Sequence, residues 1–149
     1  MNKEQRQEAI FGAFDGVVSI LGFVFGMAVH KSPEAAMAIG GLGGSISAGI
    51  SMGVGEIEKG DESWRKRLPV GLAMFLATLV GSLVPIWPFF FFPMHTAGII
   101  GGIGCLLVAT WIGYAKRAGW KGYVTAYSTL ILASALTLGI VSMIPQSVA

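Results

Sequence analysis

AIFGAFDGVVSILGFVFGMAV, residues 9–29, decides what kind of protein this is. A helix needs about 20 mostly apolar residues to cross the hydrocarbon core of a bilayer, and this run supplies them. The apolar part of a secretory leader is shorter, about 7–15 residues, and a small-residue cleavage pattern follows it. Here the run continues, carries Asp15 and meets no such pattern. Four more stretches have the same character: Ala35 to Glu56, Leu68 to Phe92, Ala97 to Ala115 and Tyr123 to Ile144. The predicted fold is an all-α integral membrane protein, one transmembrane domain over residues 1–149 with five transmembrane helices. Composition agrees. The chain is 54% hydrophobic and 12% charged, against about 25% charged in an ordinary soluble domain. A soluble bundle needs a wet face on each helix, and the last three stretches hold no acidic or basic residue at all.

The breaks between the runs are chemically sensible. Ser32 and Pro33 read as an N-cap followed by proline at the first helical position. Glu58 to Arg67 is strongly charged, Pro93-Met94-His95 is a tight break, and Lys116 to Lys121 is basic. With five crossings, Lys3, Arg6, Lys59, Arg65, Lys66, Arg67, Lys116, Arg117 and Lys121 share one side, and only Lys31 falls on the other. The positive-inside rule makes the majority side cytoplasmic, so the N-terminus is expected inside and the C-terminus outside. Both histidines, His30 and His95, then lie at the outer face. The net charge of +2 is too small to argue for nucleic acid, and a single cysteine, Cys105, excludes a disulfide framework. The short N-terminal segment without a targeting signal points to a prokaryotic inner (plasma) membrane.

Polar residues inside the apolar runs carry the functional signal. Asp15 lies about six residues into the first run, roughly 9 Å along its axis. An aspartate near a helix centre costs about 2.5–3.5 kcal/mol on insertion scales, and several apolar residues are needed to offset it. Two readings follow: a structural hydrogen bond or a hydrated place near the interface, and a cation or proton site. Asp15, Ser19, Gly22 and Gly26 share one small, polar helical face, a packing or pore-lining stripe. In the second run Gly41, Ser45, Gly49 and Gly53 form a ridge for close helix packing. The adjacent ridge is Gly44, Ala48, Met52 and Glu56, which sets a thioether and a carboxylate about 5–6 Å apart at Cβ. Oxygen ligands beside one polarizable sulfur suit a borderline transition metal, whereas calcium or magnesium prefers oxygen alone. Taken alone, Met52 reads as a lipid-facing or packing residue and Glu56 as the cytoplasmic end of the helix; they gain weight only beside Asp15. The acids Glu56, Glu58, Asp61 and Glu62 either collect cations at a mouth or belong to a solvated loop.

In the third run Pro85 and Pro88 should bend or loosen the outer half. Trp87 and Phe89 to Phe92 lie where an interfacial aromatic belt is expected. Gly98, Gly101, Gly102 and Gly104 make a tight-packing face in the fourth helix, with Cys105 a small packing residue among them. The fourth and fifth helices read as scaffold.

On Phe11-Gly-Ala-Phe-Asp15-Gly16, Ser51-Met52-Gly-Val-Gly-Glu56 and Gly81-Ser-Leu-Val-Pro85-Ile-Trp-Pro88, the sequence resembles the vacuolar iron transporter family, over nearly the whole chain. The resemblance implies a homodimer of ten helices with an ion path between the two copies of helices one and two. It implies export of Fe²⁺ or Mn²⁺ from the cytosol by proton antiport, with no cofactor and no enzymatic reaction. It carries the metal-ligand roles to Asp15 and Met52, and a place at the cytoplasmic mouth to Glu56. Two departures stand out. Well-described members insert a glutamate-rich cytoplasmic metal-binding bundle between helices two and three, where this chain has only Ile57 to Arg67. The family's usual asparagine before the aspartate is Phe14 here. The alternatives are a passive cation channel using the same residues and a membrane assembly or anchoring module that moves nothing.

Overall fold

A computed structural model describes residues 3–59, 63–116 and 119–144. All of its regular elements are helical: α1 (Lys3–Val29), α2 (Glu34–Glu58), α3 (Trp64–Ile86), a single 3₁₀ turn (Trp87–Phe90), α4 (Met94–Ala115) and α5 (Trp120–Ser142). Five spans are long and apolar enough to cross a membrane. The helices start earlier than hydropathy alone marks them. α1 begins six residues before Ala9 and α3 four before Leu68, because charged first turns are still helical although they are not apolar. α3 also stops before the predicted end at Phe92. Proline at 85 and 88 removes two backbone donors, and the chain tightens into the 3₁₀ turn after Ile86.

The helix ends show how the connections work. Ser32 is not an N-cap as expected. Pro33 holds that position without a side-chain cap, and the Ser32 hydroxyl donates to the Met27 sulfur at 3.6 Å. Lys31 takes the left-handed conformation (φ 54°) that closes α1, so that the amides of Lys31 and Ser32 reach the carbonyls of Ala28 and Met27. The start of α4 lacks a cap of its own at Pro93. Instead the Glu34 carboxylate accepts from the Met94 amide at 3.2 Å, a negative charge at a helix N-terminus. The break before α4 therefore ends at Pro93, and Met94 and His95 belong to the helix. Gly119, with φ of +59°, makes the turn into α5.

Close contacts fix the direction of each helix. Gly12 faces Met74 and Thr78, and Gly16 faces Thr78 and Ser82, so α1 and α3 run parallel. Gly40 meets Phe23 and Gly44 meets Ile20, so α1 and α2 run antiparallel. Gly41 against Ile86 and Gly53 against Gly71 make α2 antiparallel to α3. Gly101 against Pro85 and Gly113 against Tyr123 continue the alternation through α4 and α5. The start of α1, the α2–α3 link and the α4–α5 link thus share one end of the bundle. The α1–α2 and α3–α4 links share the other.

Two apolar cores stack along this axis. One joins Ile10, Phe14 and Val17 of α1 to Cys105, Ala109 and Ile112 of α4 and to Ala126 and Leu130 of α5. The other joins Ile20 and Val24 to Met37, Ala38, Ile86, Phe89 and Ala97. The outer surface is apolar too: Leu72, Leu76, Val80, Ile99, Ile103, Leu107, Ile131 and Leu132 are all exposed. A soluble domain does not expose apolar patches on this scale, and lipid acyl chains are the natural cover. α5, the least covered span, satisfies its own hydroxyls. Thr125 and Thr129 donate to the carbonyls of Lys121 and Thr125, each at 2.8 Å. The expected glycine face of α4 is only half used. Gly101 and Gly104 pack on Pro85 and Val84, while Gly98 and Gly102 meet open space, because helix packing selects one face and these two lie off it. Cys105 is buried in the first core, as a packing residue.

The α1–α3 seam is the tightest in the bundle. A Cβ added at Gly81 would collide with the Ala13 carbonyl, and one at Gly16 with the Thr78 carbonyl. Gly81→Ala should force the two helices apart and destabilise the protein by about 1–3 kcal/mol, the usual cost of overpacking. Gly98→Ala, where nothing lies within 4 Å, should leave the unfolding midpoint in detergent unchanged or raised.

Candidate functional site

Asp15 sits in the middle part of α1 on a face that the other helices leave partly open. Phe11, one turn before it, is 53% exposed, Ser19, one turn after it, is exposed, and Asp15 itself is half-buried. The Ser19 hydroxyl donates to the Asp15 carboxylate. The stripe predicted to continue through Gly22 and Gly26 is split by the packing. Those two glycines meet Thr137 and Val141 of α5, while Asp15 and Ser19 remain outside that contact. α5 packs on α1 at these two glycines, and Ser19 stays exposed.

α2 divides in the same way. Gly41, Ser45, Gly49 and Gly53 are buried against α3, as the ridge predicted. Ser45 returns its hydroxyl to the Gly41 carbonyl at 2.7 Å, so this ridge offers no free ligand. Met52 is half-buried on the adjacent ridge, on the side turned towards α1. The α1–α2 register set by Phe23–Gly40 and Ile20–Gly44 brings Asp15 level with the region of Ala48 and Gly49. Met52 is then about one helical turn further along, ~5 Å at 1.5 Å per residue. Gly43, Ile46, Ser47, Ile50 and Val54 form an exposed outer face.

Glu56 is placed differently from a solvated loop acid. It is 4% exposed, inside the last turns of α2. Its carboxylate accepts from the Arg67 guanidinium, whose Nε also donates to the Glu56 carbonyl at 2.9 Å. Lys59 reaches the other Glu56 oxygen at 3.3 Å and Glu8 at 3.3 Å. Arg67 extends the network to Glu4 at 3.5 Å. Three helices are thus pinned together at one end by two buried groups and three more exposed ones. Hydrogen bonds that Lys59 donates to Glu8, then to Glu56, hold its pKa above the ordinary 10.5. A raised lysine contributes fully below its unfolded value and loses its contribution only as pH climbs through the folded one, so this arm is intact at all physiological pH. Asp61 and Glu62 lie outside the described residues.

Sequence reading passed over two members of this region. Arg67 was counted only as a topological charge. Its position in the first turn of α3, opposite the last turns of antiparallel α2, was the available signal for a partner to Glu56. Thr78 is fully buried between α1 and α3, and its hydroxyl has no hydrogen-bond partner among the described residues. Phe14, which stands where a polar neighbour of Asp15 was considered, points into the first core and carries Lys116 over its ring at 5.5 Å.

Among the described residues, no three His, Cys, Asp or Glu side chains stand close enough to hold one metal ion. One chain therefore leaves Asp15, with Ser19, on a partly open face, leaves Met52 half-buried on α2, and ties Glu56 to Arg67. No protein-family model, curated protein or solved structure matches the chain.

Removing Arg67 takes away the buried partner of Glu56 and leaves only the exposed Lys59 beside its carboxylate. Arg67→Met should cost about 3–5 kcal/mol, while Glu56→Leu combined with Arg67→Met should recover most of it. Denaturant midpoints of the two variants in the same detergent check this.

Proposed function

We propose that this protein carries divalent transition-metal ions, Fe²⁺ or Mn²⁺, out of the cytosol by proton antiport, along a path between two copies of α1 and α2. The observation that carries the proposal is Asp15, a carboxylate within a membrane span on a face its own chain does not close. A carboxylate facing acyl chains is costly, and a second subunit laid over that face removes it from lipid. Two subunits would bring two carboxylates and two thioethers to one seam, a donor set suited to a borderline metal. The same Asp15 oxygens accept either a proton or a metal ion, which is the exchange that antiport needs. On the exposed side of α2, Gly43, Ser47, Ser51 and Gly55 recur every fourth residue beside Ile46, Ile50 and Val54, and this small-residue row supports close approach of a second copy. The resemblance of residues 11–16, 51–56 and 81–88 to the vacuolar iron transporter family supports the same reading. The cationic end, with Lys3, Arg6, Lys59, Arg65 to Arg67 and Lys116, is assigned to the cytoplasm by the positive-inside rule.

Glu56 acts in this reading as a guarded acid at the cytoplasmic mouth. Its charge is held by Arg67 and Lys59, and an arriving dication competes with those two groups for the same oxygens.

Proteoliposomes with a metal-sensitive dye and a pH dye inside test the proposal. Wild-type protein should pass Fe²⁺ or Mn²⁺ with a matching counter-movement of protons. Asp15→Asn should reduce metal flux to that of protein-free vesicles, and Met52→Leu should lower it while sparing folding. Wild-type rates in Asp15→Asn would overturn the mechanism. Metal flux without a proton signal would make the protein a passive channel. Loss of the dimer in Asp15→Asn, with no metal flux in wild type, would make it an assembly module.

A further inference from the structure

The end of the bundle that holds the Glu56–Arg67 network has a second, chemically opposite feature. A cavity of about 520 Å³ lies between the start of α1 and the end of α4. Its walls are Lys3, Arg6, Gln7 and Lys116 at the rim, and Ile10, Phe11 and Ala115 below. That volume falls within the range of small-ligand sites, about 300–1,000 Å³.

The charge within α1 is sorted by helical face. Glu4 and Glu8 turn to Arg67 and Lys59. Lys3 and Arg6 lie on the other side, towards α4, with Ile10 in line beneath them. Among the described residues no carboxylate lines the cavity, and none of Lys3, Arg6 and Lys116 forms a salt bridge. Lys116 instead lays its ammonium over the Phe14 ring. Three cations therefore converge above an apolar floor, at the level where the apolar span begins. Mutual repulsion disfavours that arrangement unless an anion joins them. The floor excludes a fully hydrated occupant, and the rim excludes a purely apolar one.

We propose that this cavity binds the phosphodiester of an acidic phospholipid, with Arg6 offering its paired N–H groups to two phosphate oxygens. Lys3 and Lys116 supply the flanking charge, Gln7 a further donor, and Ile10, Phe11 and Ala115 the contact for the first acyl carbons. Basic pockets between membrane helices are suited to such headgroups. The site rests on this pocket alone and stands apart from the transport reading.

The test uses the full chain purified in neutral detergent, mixed with equal amounts of phosphatidylglycerol and phosphatidylcholine, with retained lipid counted by native mass spectrometry. Phosphatidylglycerol should be retained over phosphatidylcholine by at least about tenfold, given that each cation near an anionic surface is worth about a factor of five. The triple variant Lys3→Gln, Arg6→Gln, Lys116→Gln should abolish the preference. Lys31→Gln, Arg65→Gln, Lys66→Gln removes equal charge elsewhere and should keep it. If the first triple variant is not monodisperse, Arg6→Gln alone should lower the preference about fivefold. Equal retention of the two lipids, an unchanged preference in the pocket variants, or an equal loss in the control variant would overturn the proposal. Release of phosphatidylglycerol by millimolar inorganic phosphate would also overturn it, in favour of a free-anion site.

Discussion

The close approach of α1 and α3 is the constraint on which the rest of the structure depends. Lipid tails are as apolar as leucine, so helices in a bilayer gain little from hiding apolar surface against each other. What remains is van der Waals contact, and that requires backbones to come near. Gly12 and Gly16 on one helix and Gly81 on the other supply this, with Ala13 and Thr78 backbone atoms filling the space that side chains would take. α2 then lays its own small-residue ridge on the adjoining side of α3, against Phe75 and Gly71. α4 follows through Gly101 on Pro85. Each contact uses the same physics, and α3 stands at the centre of all of them.

Electrostatics complements this packing at one end of the bundle only. Glu56 and Arg67 are both buried, and their mutual contact offsets part of the cost of desolvating each. Glu4, Glu8 and Lys59 extend the contact outward, so that the first turn of α1 is held to α2 and α3 before the chain enters the apolar region. The opposite end relies on apolar and capping contacts, with Glu34 on the start of α4 and an aromatic group of Trp87, Phe91 and Phe92 at centroid distances of 6.4 Å. One end is thus clamped by charge and the other by rings and caps, a difference that follows from where the acidic residues lie.

Against this closed core, the faces that bear Asp15 and the outer side of α2 are unfinished. Several polar side chains deep in the spans are returned to their own helix, as with Ser45 and Thr129, or enclosed, as with Thr78 and Ser82. Asp15 has Ser19 and an open flank. Asp15 differs from these in being a carboxylate, whose single hydroxyl partner leaves oxygen lone pairs free on that open flank.

The number of helices, their approximate limits and the grouping of basic residues were all legible in the residues. They depend on hydropathy and chain length, which are local sums. The glycine ridge of α2 was legible too, because helical periodicity alone puts Gly41, Ser45, Gly49 and Gly53 in line. The fate of each small-residue stripe was not. Asp15, Ser19, Gly22 and Gly26 share a face by periodicity, yet α5 packs on Gly22 and Gly26 while Ser19 stays exposed and Asp15 half-buried. Gly98 and Gly102 lie beside Gly101 and Gly104 in sequence but meet nothing. Glu56 reads as the end of a helix until Arg67 is brought across from α3. By itself, then, the sequence determined that five apolar helices form and which residues are anomalous within them. Only the tertiary structure decided which anomalies are answered within the chain and which are left open. That outcome depends on crossing angles and on contacts between residues far apart in sequence, and no local pattern encodes either.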